Sequence, residues 1–68
     1  MEIKIVKVLR IRSDLYIEAG ETVCFVLADG TEWDGKLIDF DTVKITVLID
    51  GIEKQIETKQ ITSIWKSL

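Results

Sequence analysis

Apolar and polar residues alternate with a period of two along much of this chain, a pattern that predicts β-strands rather than helices. From Ile3 to Arg12 the alternation sets Ile3, Ile5, Leu9 and Ile11 on one face and Lys4, Val6, Val8, Arg10 and Arg12 on the other. A strand is the predicted element, although apolar positions 3, 5, 6, 8, 9 and 11 also fit a broad helical stripe. Ser13 to Glu21 carries Ser13-Asp14 and Ala19-Gly20-Glu21 around Leu15, Tyr16 and Ile17, which predicts a bent loop whose middle packs back on the rest.

The next run, Val23 to Ala28, is apolar throughout and predicts a strand buried on both faces. It ends at Asp29-Gly30, a dipeptide suited to a tight turn, so Thr31 to Asp39 is its hairpin partner. Gly35 in the middle of that partner predicts a sharp bend or the close approach of another strand. Lys44 to Ile49, a turn at Asp50-Gly51, Ile52 to Glu57, a short link at Thr58-Lys59-Gln60 and a last strand from Ile61 to Trp65 complete the reading. Ile, Val and Thr dominate these runs, and their branched Cβ atoms suit pleated strands. The prediction is an all-β domain of five or six short strands, curled into a small, strongly bent barrel that is closed or nearly closed.

Size and composition narrow the possibilities. A chain of 68 residues and 7.8 kDa holds one core, so residues 1–68 are read as a single domain. There is no histidine and one cysteine, Cys24, which removes an imidazole base for a nucleophile and the Cys/His set of a structural zinc site. An enzyme is not expected, nor a cofactor or a metal. Such a small domain buries only about 60% of the surface its unfolded chain exposes, so association of several copies is the expected source of extra stability. Nine basic and twelve acidic residues give a net charge of −3 and a pI near 4.8, the wrong sign for strong nonspecific attraction to phosphate. Neither an export signal nor a membrane span is read, and the lone cysteine suits a reducing compartment, so a cytoplasmic location is expected.

The segment from Val23 to Asp41 resembles the first motif of the Sm-like family, in which an apolar strand and a Gly-containing turn lead into Gly-x-Leu-x-x-Phe-Asp. Gly35, Leu37, Phe40 and Asp41 match that motif in identity and spacing. Gln60-Ile61-Thr62-Ser63-Ile64 is similar to the end of the second motif, notably in the bacterial Hfq type, so that Ile61 and Ile64 fall on its closing strand. The resemblance spans residues 22 to 65. It implies a bent five-stranded barrel whose last two strands, about 52 to 57 and 61 to 65, pair with neighbouring copies to close a ring that binds RNA. Carried onto this chain, the family's nucleotide site falls on Lys44, Thr58 and Lys59. The usual Asn after the Asp is replaced by Lys44 or Ile45, and the Arg-Gly pair of the second motif falls on Glu57-Thr58, so the implied site is degenerate.

Other residues with chemical potential have ordinary readings beside the functional one. Asp34, Asp39 and Asp41 stand close enough in sequence to gather a cation, but charged strand residues ordinarily face water, and Asp41 is read as capping the turn after Phe40. Trp33, Trp65 and Tyr16 could stack bases or pack in a core or interface. Lys4, Arg10 and Arg12 share a strand face and form the best basic stripe, with Arg10 and Arg12 as phosphate contacts, against the reading of a solvated edge. Cys24 is read as a buried, inert thiol. Two functions follow: an Sm-like ring subunit that binds RNA, or an SH3-like or Sm-like protein-interaction and assembly module that does not.

Overall fold

The computed structural model describes residues 2, 3, 5 and 7–67. Among these residues seven strands form: β1 (Val8–Arg12), β2 (Leu15–Glu18), β3 (Thr22–Leu27), β4 (Glu32–Phe40), β5 (Lys44–Ile49), β6 (Ile52–Glu57) and β7 (Ile61–Lys66). A single turn of 3₁₀ helix, Thr58–Gln60, joins β6 to β7. The strands make two antiparallel sheets, a hairpin of β1 and β2 and a five-stranded sheet in the order β6-β5-β4-β3-β7. The chain is therefore all-β, as its periodicity predicts.

Turn chemistry sets the connections. Ala28–Gly30 form a three-residue hairpin loop in which the Leu27 N–H donates to the Thr31 carbonyl at 2.8 Å and the Gly30 N–H to the Leu27 carbonyl at 2.9 Å. The Asp29 carboxylate accepts the Thr31 N–H at 2.9 Å. Between β5 and β6, Asp50 and Gly51 have φ of 51° and 77°, the two positive values that a two-residue hairpin matching the strand twist requires.

One face of the large sheet makes the core. Val23 and Phe25 of β3, Leu37 and Phe40 of β4, and Ile45, Val47 and Ile49 of β5 are buried together, joined by Ile17 of β2. Full burial of each such side chain contributes about 1.5–3 kcal/mol, so the few that this chain owns carry most of its apolar stabilisation. Leu9 and Ile11 pack against the same cluster, as do Ile61 and Ile64 of β7. The hairpin β1–β2 thus belongs to the core it covers.

Four expectations change. Ser13 to Glu21 is not a bent loop, because Leu15–Glu18 pairs with β1, setting Ile17 opposite Leu9 and burying it fully. That raises the strand count to seven. The first strand begins at Val8 rather than Ile3; Glu2, Ile3, Ile5 and Lys7 lie outside any strand, while Lys4 and Val6 of the predicted basic and apolar faces lie outside the described residues. β3 is buried on one face only, with Cys24, Val26 and Leu27 half-buried and Ala28 exposed. Burial on both faces occurs instead in β5, where Ile45, Thr46 and Val47 are all buried between β4 and β6. No ladder joins β6 to β7 among the described residues, so the five-stranded sheet keeps two edges.

Two irregularities bend that sheet. The β4–β5 register slips at Ile38, an extra residue that leaves its side chain partly exposed beyond the core. The β3–β7 register slips at Thr62, whose hydroxyl donates to the Val26 carbonyl at 3.0 Å.

Candidate functional site

β1 and β7 border an open groove of about 280 Å³. Leu9 and Ile11 come from β1, Ile61 and Ile64 from β7, and Ile45 from β5, so the lining is mainly apolar. Arg10, Thr58, Thr62 and Ser63 add polar groups to it. The alternation of β1 explains the mixture: Leu9 and Ile11 turn toward the core, and Arg10 between them is exposed.

Beside this groove, the turn after β4 gathers three of the five residues expected to meet nucleic acid. Asp41 Oδ1 accepts the N–H groups of Val43 at 2.7 Å and Lys44 at 2.9 Å, and the Asp41 N–H donates to the Lys44 carbonyl at 2.9 Å. Those bonds, first to Lys44 and then to Val43, hold the Asp41 carboxyl below its ordinary pKa. Thr58 locks the 3₁₀ turn onto the same place, its N–H donating to the Val43 carbonyl at 2.8 Å and its hydroxyl reaching the Thr42 and Val43 carbonyls at 3.0 Å. Lys44, Thr58 and Lys59 therefore stand around one turn, and Thr58 shares the groove with Arg10.

Charge at that cluster is largely answered from within. Lys59 Nζ lies 3.2 Å from Glu57 Oε2, and Lys44, paired in register with Glu57, reaches Gln55 Oε1 at 3.0 Å. Arg12 donates from Nε to Asp14 at 2.8 Å, away from the turn. Whereas Lys44 has its bond to Gln55, Arg10 is the cation of the expected set that makes neither an ion pair nor a side-chain hydrogen bond among the described residues. It stands opposite Tyr16 in the hairpin, and both are exposed.

The aromatic residues do not form one platform. Trp33 pairs with Phe25 and packs half-buried on the core side, where Lys54 Nζ lies 5.5 Å from its ring centre. Trp65 pairs with Cys24, the neighbour of Phe25, and so faces the opposite side of the sheet. The three aspartates also separate. Asp34 is exposed opposite Cys24, Asp41 serves its own turn, and Asp39 accepts a hydrogen bond from Lys7 at 2.8 Å. That bond, with the Phe40 N–H second, lowers the Asp39 pKa, and the same ammonium sits 4.8 Å from the Phe40 ring centre. Among the described residues no group of three or more His, Cys, Asp or Glu side chains is placed to hold a metal ion.

The motif residues have plain mechanical positions. Leu37 and Phe40 are core, Ile61 and Ile64 pack on it from β7, and Gly35 lies where β5 passes closest. What sequence reasoning missed is the groove itself, because its walls come from β1 and β7, near opposite ends of the chain. The repeated apolar-polar spacing of Leu9-Arg10-Ile11 and Ile61-Thr62-Ser63-Ile64 was the available signal. Neither the family models nor the curated proteins give a match to this chain. No helix among the described residues is long and apolar enough to cross a membrane.

Proposed function

We propose that this chain is an Sm-like subunit: a small, strongly bent, nearly closed barrel that assembles with copies of itself through the exposed strands β6 and β7 and offers the assembly's surface to RNA. The observation that carries this reading is the strand order β6-β5-β4-β3-β7, in which the two strands that the Sm-like resemblance assigns to ring closure are the two edges of the sheet. Unpaired edges in a domain this short invite strand addition, and copies related head to tail by that contact form a ring when the rotation closes. Arg10, Lys44, Thr58 and Lys59, close to the groove and the Asp41 turn, are the surface for RNA.

Light scattering on the full chain tests the assembly, with about five to seven copies expected for a closed ring. Fluorescence anisotropy on the same peak tests RNA, with binding to short U-rich or A-rich strands at about 50 mM salt that weakens steeply as salt rises. A monomer at every concentration rejects the ring, and unchanged anisotropy at high protein concentration rejects RNA.

The ion pairs of Lys59 and Arg12, with the net charge of −3, favour a second reading: an SH3-like or Sm-like assembly module whose ligand is another protein. Recovery of RNA without a stoichiometric protein partner counts against it.

A further inference from the structure

The groove between β1 and β7 has a strand for each wall, and each strand is bonded on one side only. β7 pairs with β3 and β1 with β2, and no ladder joins β1 to β7 among the described residues. Two strand edges with an apolar floor between them accept an extended chain, whose backbone bonds the edges and whose alternate side chains enter the floor.

The chain carries a segment of that description. Ile3 and Ile5 are 82% and 92% exposed, lie outside any strand, and alternate with Glu2 and Lys4 in the sequence. Two uncovered isoleucines in a 68-residue protein leave apolar surface that the fold itself does not use. Return to the groove of the same chain is blocked by connectivity. The arm runs directly into β1, already a wall of that groove, and residues 2–7 contain none of the Gly, Pro, Asn or Asp that a tight reversal needs.

We propose that the N-terminal arm of one copy lies as an added strand in the groove between β1 and β7 of a second copy, with Ile3 and Ile5 on its apolar floor. The occupant is the arm rather than β6, because β6 is already bonded to β5 along one side and can satisfy only one wall. The inference rests on the reading that copies associate, but at the β7 edge it puts the arm in place of β6, because β7 has one free side that the two cannot share.

The test is sedentration of the full chain by analytical ultracentrifugation, comparing wild type with the double variant Ile3→Lys, Ile5→Lys. Both positions are exposed, so the variant keeps the wild-type circular dichroism. Losing two buried isoleucines per contact raises the dissociation constant at least about a hundredfold. A double isoleucine variant that associates like wild type overturns the arm and leaves assembly through β6 and β7 standing. Wild type that stays monomeric at every concentration removes both the arm and the assembly it rests on.

Discussion

A methyl group at Gly35 would stand 2.6 Å from the carbonyl oxygen of Leu48 and 2.9 Å from Cγ1 of Ile49. Real Cβ atoms do not approach a backbone oxygen so closely, and that oxygen belongs to β5, whose core residues Ile45, Val47 and Ile49 fix its position. Gly35→Ala therefore forces β4 and β5 apart and is expected to cost about 1–3 kcal/mol by overpacking. Urea unfolding measures it, and a midpoint equal to wild type would show that the strands part freely.

Ile17 gives a test of whether the hairpin β1–β2 is part of the folding unit. Its side chain is fully buried with Phe25, Leu37 and Val47. Ile17→Ala is expected to destabilise by about 2–5 kcal/mol, the range for removing a packed core side chain. Loss of the whole β signal in one transition places the hairpin in the cooperative core. A variant as stable as wild type means that the hairpin is an appendage.

Acid sensitivity follows from the carboxylates. Glu21, Asp29, Asp39 and Asp41 all have pKa values lowered by hydrogen bonds, Glu21 by the Glu18 N–H and Asp29 by Thr31. With folded values below unfolded ones, the unfolded chain binds more protons and stability rises with pH through that window. The contribution is complete above the unfolded carboxylate range of about 3.9–4.3 and is lost as pH falls through the folded values. Asp41→Asn keeps an oxygen to accept the Val43 and Lys44 N–H groups while removing one titrating group. Thermal melts from neutral pH into acid should give this variant a shallower loss of stability, and a slope identical to wild type would contradict the assignment.

The surface proposed for RNA makes unequal demands on its cations. Lys59 is answered by Glu57, whereas Arg10 has no acidic partner among the described residues. Arg10→Ala is expected to lower the slope of log affinity against log salt by about one, as for a lost phosphate contact, with a smaller change for Lys59→Ala. Equal salt slopes in wild type and Arg10→Ala would remove Arg10 from the contact.

The parts of this fold that local chemistry dictates are legible in the sequence. Asp50-Gly51 encodes its own turn, and β5 and β6 on either side of it run over Lys44–Ile49 and Ile52–Glu57, the spans that periodicity predicts. The hairpin strand Leu15–Glu18 was not legible, because only four residues long and flanked by Ser13-Asp14 and Ala19-Gly20, it carries stronger loop than strand signals. Its strand character comes from β1 beside it and from burial of Ile17. The apolar run Val23 to Ala28 misleads in the other direction: composition promised two buried faces, whereas β3 has little above its outer side. Of the candidate site, the Asp41 turn is local and readable, and the groove is tertiary and is not.

The bond from Lys7 to Asp39 has a practical corollary for handling the protein. It moors the chain at the end of β4, so the six residues that precede Lys7 span at most roughly 20 Å at about 3.3 Å per residue. The narrowest dimension of the molecule is 25 Å, so they reach only a neighbour in direct contact. A bulky tag fused to the first residue would crowd that meeting point, whereas the other terminus, where the Ser67 N–H donates to the Thr22 carbonyl at 2.9 Å, leaves from the far end of β7.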